Sequence, residues 1–404
     1  PDRWRAVPPE QVRRLGPEQL AGAGPWGQAG SPTRVESVRE IAVVRRPVRL
    51  EGPLPEQVER AVALLGAAGA LAGRRPRPSR AVPLPRPGAD RRRSVAVLLE
   101  PGRPRLAAEL LGRAAVLARG LRGSVVAVTP ATAGAQELWA LGADELVWVV
   151  GTEVAEDVAA ALGDWVRRRA PWAVLGPGTS WGREVLARAA ARLGAGLIGD
   201  AVDVQLEDGR LVGWKPALGG GLLARVTASS AVQMATVRPG ALPVLRHRLG
   251  AGSPAVTRLA VRARGRVEIG ARWQDDHPEA LALARSVVGV GIGVPPEGYP
   301  AVRRLAHRLG AELAATRKVT DQGWLPRFRQ VGITGRFIAP RLYVAVGVQG
   351  KLNHMLGVRQ AQTILAINRD PDAPVFGGCD IGIVGDWHQT VALLTEALPG
   401  RGRT

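Results

Sequence analysis

Four groups of residues near the C-terminal end have types and spacings that could do chemistry. Gly347-Val348-Gln349-Gly350 closes the apolar run Leu342–Val346 and opens onto a helical pattern beginning at Lys351 and Leu352. Backbone N–H groups at such a helix start are donors for phosphate. His354 lies just inside that pattern, after Asn353, and Asn368-Arg369-Asp370 follows the next apolar run, Thr363–Ile367. Gly385-Asp386 follows the third, Gly382–Val384, and leads into a helix at Trp387. A carboxylate so placed can accept hydrogen bonds from ribose hydroxyls, although an ordinary helix N-cap is the competing reading. By itself a histidine like His354 is more often a capping or surface residue.

Two earlier runs end in the same way. Ser286–Val288 is followed by Gly289, Gly291 and Gly293, and Glu312–Ala315 by Thr316 and Arg317. The glycine run lacks the last glycine of the dinucleotide fingerprint, so a tight strand-to-helix turn explains it equally well. Taken together, five strand ends converge on one edge, where a doubly wound sheet places its ligand. The loops suggest an adenine dinucleotide. No acid/base pair, Ser/His/Asp arrangement or metal-ligand spacing accompanies them, and His247, His277, His307 and His388 lie scattered. A bound group that does its own chemistry fits this better than a hydrolase does.

The elements that must hold these loops are legible in the pattern. Ser94–Leu99, Ser124–Thr129, Glu145–Val150 and Trp172–Gly176 are short Val/Leu-rich runs separated by helical periodicity, which predicts βαβ units and a parallel sheet. Val202–Leu206 and Leu211–Trp214 flank Glu207-Asp208-Gly209-Arg210, a hairpin signal. These strands and the two that follow are expected to extend the first sheet as antiparallel additions. The fold class is α/β, with two doubly wound, Rossmann-like domains. The expected divisions are 1–72, an arm that docks elsewhere for want of regular strands; 73–93, a stiff Arg/Pro linker; 94–274, the first α/β domain; and 275–404, the second.

Composition narrows the classes. With 404 residues and 46% hydrophobic content the chain can bury more than one core. The charge of +20 comes almost wholly from arginine, since Lys215, Lys318 and Lys351 are the only lysines. The arginines are dispersed and no aromatic interleaving supports base stacking, so nucleic acid is not expected as a partner. The single Cys379 excludes an intrachain disulfide and reads as a small buried thiol. No apolar run approaches the roughly 20 residues of a membrane span, so no membrane insertion is expected and the chain reads as soluble and cytoplasmic. It opens on Pro1, which fits a processed or partial product.

Residues Leu342–Asp386, with AINRDPDAPVF and GIVGD inside them, resemble the alpha subunit of electron transfer flavoproteins. So do TRKVTDQGW, QVGITG, WKPALGGGLLARV, MATVRPG and GPGTSWGREVLARAAARLGAGLIGD, and the resemblance spans residues 94–398. It implies FAD bound to the second domain and electrons shuttled from a dehydrogenase, acyl-CoA or other flavin type, to a quinone oxidoreductase or other acceptor. By position it makes Thr316 and Arg317 flavin contacts, with Gly291, Val331, Gly332 and Ile333 lining the loops. Thr334 matches the hydroxyl at flavin N5, and His354 the residue beside the pyrimidine carbonyl, where a positive or hydrogen-bonding group steadies negative charge. Gln349, Gly350, Lys351, Leu352 and Asn353 would offer backbone contacts, and Asn368, Asp386 and Trp387 would hold the adenosine half. Ile292, Ile333 and Gln349 replace the family's usual arginine, glutamine and serine, which implies retained FAD binding with a shifted potential.

Residues 1–72, through AGSPTRV and LEGPLPEQVERAVALLGAAGAL, are similar to the C-terminal arm of the family's beta subunit. That implies part of a beta–alpha fusion, with a beta subunit or fused beta domain as partner. The LEGPLPEQVERA segment leans toward the bifurcating type. A nucleotide-binding or assembly module with a degenerate flavin site is the alternative that Ile292 and Ile333 motivate.

Overall fold

The computed structural model describes residues 30–40, 45–71, 80–84, 90–130, 134–217, 222–250, 252–261, 263–271 and 280–399. The first part of the arm, most of the 73–93 linker, the triple glycine before Leu222 and the junction near Asp275 lie outside the described residues.

The chain enters through β1 (Thr33–Glu40), β2 (Val48–Leu50) and α1 (Leu54–Ala67). The first unit follows as β3 (Val95–Leu98), α2 (Pro104–Leu121), β4 (Val125–Thr129), α3 (Ala135–Leu141), β5 (Glu145–Val150), α4 (Ala155–Arg169), β6 (Ala173–Pro177), α5 (Ser180–Leu193) and β7 (Leu197–Ala201). Then come β8 (Asp203–Glu207), β9 (Arg210–Ala217), β10 (Leu222–Ala228), β11 (Gln233–Val237) and β12 (Ala255–Ala260). A parallel sheet of seven strands runs β12-β5-β4-β3-β6-β11-β7. Its strands read as unbroken apolar runs because both faces are covered: Val95 and Val97 join one apolar cluster, Ala96 and Leu98 the other.

The expected antiparallel extension is corrected in two respects. The hairpin forms as β8 and β9, but with β10 and β1 it builds a separate antiparallel sheet of four strands, β1-β10-β9-β8. Gly213 lets β9 approach β7, since a Cβ there would stand 2.6 Å from Ile198 Cγ2. Of the four strands expected to extend it, only β11, whose five residues are all buried, enters the first sheet, and it does so parallel to β6 and β7.

The second unit consists of α6 (Ala280–Leu283), β13 (Ser286–Val290), α7 (Tyr299–Leu309), β14 (Glu312–Ala315), α8 (Arg317–Asp321), β15 (Leu342–Val346), α9 (Leu352–Val358), β16 (Thr363–Asn368), β17 (Ile381–Val384) and α10 (Trp387–Ala397). Its parallel sheet runs β14-β13-β15-β16-β17-β2. The winding reverses between β13 and β15, and a crevice opens at such a switch point above the carboxyl ends of the strands.

The sixth strand of that sheet comes from the start of the chain. Residues 48–50 find their hydrogen-bonding partner in β17, with Val48 N–H donating to Asp380 O at 2.9 Å. The arm therefore does contain strands, too short to be read without the sheets they complete. Helix α1 buries Val58, Ala61 and Leu65, spaced three and four apart, in the cluster that also holds Val302 of α7 and Leu394 of α10. Full burial of a side chain such as Leu50 or Leu65 is worth about 1.5–3 kcal/mol before the cost of ordering it. Arg45 fastens the arm to the opposite face. Its guanidinium, 7% exposed, pairs with Asp380 and donates to Arg359 O at 2.9 Å and Ala361 O at 2.6 Å, just past the end of α9.

Candidate functional site

At the β13/β15 switch point two loops meet backbone to backbone. Gly291 N–H donates to Val346 O at 2.9 Å and Gly293 N–H to Gly347 O at 3.3 Å. A Cβ on Gly291 would lie 2.0 Å from Gly347 O, so only glycine permits this approach. Gly347 and Gly350 both have left-handed φ, +61° and +85°, which turns the 347–350 loop over the crevice before α9 begins. Asn368 secures that loop: its amide donates to Val348 O at 2.9 Å, and its Oδ1 accepts Asp370 N–H at 2.9 Å. Both ends of the Asn368 side chain are thus engaged inside the protein, which makes it a brace for the loop.

The residues expected on the flavin side come together on the neighbouring loops. Arg317 opens α8 and is mostly exposed; its 3.2 Å pair with Asp321 is a surface contact of small energy, so the guanidinium is loosely held. Gln330, 1% exposed, accepts from Thr320 Oγ1 and donates to Thr334 Oγ1, each at 2.8 Å. Because Thr334 Oγ1 accepts from Gln330, its own O–H remains to donate elsewhere, the polarity an unprotonated ring nitrogen requires. Gly332, at φ +135°, and Ile333, whose N–H donates to Asn353 O at 2.9 Å, close this loop onto α9.

His354 is buried, with Nε2 2.7 Å from the Tyr343 hydroxyl and Nδ1 3.1 Å from Val331 O. Burial pushes its pKa down to about 4, so the ring is neutral near pH 7. The environment gives the imidazole internal hydrogen-bond partners and keeps it uncharged.

Asp386 caps α10, Oδ1 accepting the N–H groups of His388 at 2.9 Å and Gln389 at 3.2 Å. Those bonds leave Oδ2 outside the cap. Trp387 packs on the loop before α7, where a Cβ on Gly298 would meet the indole at 2.2 Å. Around the crevice Arg317, Thr334, Gln349, Lys351, Asn353 and Asp386 are exposed together with three large apolar residues, Ile292, Ile333 and Leu352, at 41%, 45% and 70%. An edge that mixes apolar faces, cations, a hydroxyl donor and a carboxylate acceptor suits a ligand with a flat ring, an anionic middle and a sugar. These residues fit FAD. Among the described residues no group of three His, Cys, Asp or Glu side chains could hold a metal ion.

Comparison with known proteins covers the same region. Residues 280–359 match the electron transfer flavoprotein FAD-binding domain, and residues 104–263 match the electron transfer flavoprotein domain. The electron transfer flavoprotein subunit alpha of Mycobacterium leprae is 35% identical over 301 residues, 73% of this chain and 92% of that protein. The chain belongs to the electron transfer flavoprotein alpha-subunit family. Protein FixB of Bradyrhizobium diazoefficiens is 33% identical, across 72% of this chain and 84% of its own length. A solved thiamine diphosphate-dependent decarboxylase of Rhodococcus jostii aligns at TM-score 0.22 with 12% identity, too slight a likeness to argue from.

The FAD-binding match takes in every expected site residue from Gly291 to His354 and stops short of Asn368, Asp386 and Trp387. Two residues at the heart of the geometry were not singled out from the sequence, Gln330 and Tyr343. Each carried a signal. Gln330 stands directly before the Val331-Gly332 turn, and Tyr343 is the one hydroxyl in an otherwise apolar strand.

Proposed function

We propose that the crevice between the 291–294 and 347–350 loops holds FAD, and that this alpha-type chain serves as the cofactor-bearing half of an electron carrier. The observation that carries the reading is the switch point itself, with Thr334 presenting its O–H on one side and Asp386 Oδ2 on the other. When bound, FAD supplies reversible electron uptake; the chain supplies orientation and exclusion of water. Thr334, aligned by Gln330, would donate to the ring. Arg317 and Lys351 would face the anionic parts, and Asp386 would accept from the ribose. Asn368 acts through the loop it braces.

The partners that follow are a beta subunit or fused beta domain, an acyl-CoA or other flavin dehydrogenase as donor, and a quinone oxidoreductase or other acceptor. Residues 1–72 are read as the C-terminal arm of a beta-type domain in a cytoplasmic beta–alpha fusion. The arm's strand in each of two sheets, and Arg45 inserted behind α9, support that reading, since each makes the arm integral to its docking surface. A bifurcating carrier would need a second flavin on the beta side. Sequencing the gene upstream of Pro1 tests the fusion: an in-frame beta-type domain is expected, and its absence ends that part of the proposal. Reconstitution tests the site, the expected outcome being one FAD per chain with full flavin absorbance. A chain that stays colourless with excess FAD would favour a nucleotide-binding or assembly module.

A further inference from the structure

On the sheet face opposite α1, β15 directs one polar side chain into the core. Tyr343 is fully buried in the cluster that contains Val287, Val331, Ile338, Val358 and Phe376. Its hydroxyl has room because residue 289 is glycine: a Cβ there would lie 1.7 Å from Tyr343 Oη. That hydroxyl stands 2.7 Å from His354 Nε2, and His354 Nδ1 stands 3.1 Å from Val331 O. A carbonyl can only accept, so Nδ1 carries the proton and Nε2 accepts from the tyrosine O–H. Two hydrogen bonds in series therefore tie the centre of the sheet to the loop that bears Thr334.

We propose that Tyr343 is a positioning residue for the flavin-side loop: seated over Gly289, its hydroxyl holds His354 as a neutral, Nδ1-protonated strut against Val331. The histidine then fixes the shape of residues 331–334 around a ligand. The geometry stands by itself; its functional consequence rests on the FAD reading above. Burial favours the same state, lowering the imidazole and raising the Tyr343 phenol. Around the pair, β15 contributes Tyr343, β13 contributes Gly289, and the loop contributes Val331. Lys351 and Arg359 bracket α9, and the same apolar cluster holds Cys379, its thiol pushed up to about 11. Neither Tyr343 nor Cys379 changes charge between about pH 5 and 8.

Two measurements on the full chain test this. In nitrogen-15 imidazole spectra of the FAD-free protein, one of the five histidines should keep the neutral Nδ1–H pattern from pH 8 down to about 5. In Tyr343→Phe that histidine should titrate nearer the ordinary value of about 6.5. If His354 titrates near that value in the unaltered chain, the strut does not exist; this arm decides the matter even if the variant fails to fold. In FAD titrations the parent Kd should be flat with pH, and Tyr343→Phe should bind about tenfold more weakly, increasingly so below pH 7. A variant that binds FAD like the parent at every pH overturns the positioning role while leaving the FAD reading intact. Failure of the parent to bind FAD overturns the FAD reading, and the spectra then judge the strut separately.

Discussion

In the first unit the loops above the strand ends close on themselves. Thr179 donates to Glu100 at 2.5 Å, Glu100 pairs with Arg103 at 3.6 Å, and Asp200 holds Arg183 and Arg238 at 2.9 and 2.5 Å. In the second unit the corresponding edge keeps its carboxylate, hydroxyl and cations at the rim and joins the 291–294 and 347–350 loops through backbone bonds, with the Asn368 amide bracing the latter. Both sheets are parallel and doubly wound, so winding creates a crevice in each. What separates them is whether the loop side chains are consumed by one another. Small residues at the crossing of the second sheet do the joining that ion pairs do in the first, and this leaves polar groups for a ligand.

The sharpest way to break that comparison is to add one methyl group to each edge. Gly291→Ala would force apart loops whose Cβ clearance is 2.0 Å, and about 3 kcal/mol of overpacking is expected, with FAD affinity down about 100-fold. Gly178→Ala, where a Cβ would sit 2.8 Å from Val237 O, should destabilise the first unit by about 1–2 kcal/mol and leave FAD affinity unchanged. Equal losses of FAD affinity in the two variants would mean that the edges are not functionally distinct.

Removing the arm's anchor sharpens the picture further. Arg45→Ala leaves Asp380 without its ion pair and strips the Arg359 and Ala361 carbonyls of a donor. Breaking a buried pair costs about 3–5 kcal/mol. With Asp380 29% exposed, about 2 kcal/mol is expected, read as a lower urea midpoint for the second unit alone. A matching shift in the first unit would show that the arm stabilises the whole chain rather than the site-bearing sheet.

A smaller effect separates the two duties of Asp386. Asp386→Ala should lose about 1 kcal/mol of cap stability and weaken FAD about tenfold. Asp386→Ser should recover the cap without the affinity. Recovery of both would reduce Asp386 to an N-cap. Smallest is Ile292→Arg, which restores a positive charge to the edge. It should raise the flavin midpoint by about 30 mV, near 1.4 kcal/mol for two electrons, in a spectroelectrochemical titration. No change would place Ile292 away from the ring.

Much of the second unit could be read directly. Leu342–Val346 and Glu312–Ala315 are strands with the limits their apolar runs imply, and Thr316, Arg317, Gly350 and Asp386 stand at strand ends as expected. Other features could not be read, because they depend on partners distant in the chain. A strand as short as Val48–Leu50 has no periodicity of its own and exists by pairing with residues more than 300 positions away. The separate sheet of β8, β9, β10 and β1 was hidden for the same reason, since alternation reports which face is wet and not which sheet a strand joins. For Gln330 and Tyr343, polarity was visible but burial was not.

The sequence by itself determined the α/β class, the alternation of strands and helices and the converging loops, because these follow from local periodicity and from glycine's backbone freedom. Only the tertiary structure decided which polar groups remain available to a ligand. Asn368 and His354 are engaged internally, whereas Thr334 keeps its O–H and Asp386 keeps Oδ2 outside the cap. The physical reason is that a hydrogen-bonding group's role is set by what lies within about 3 Å of it, and chain order does not specify those neighbours.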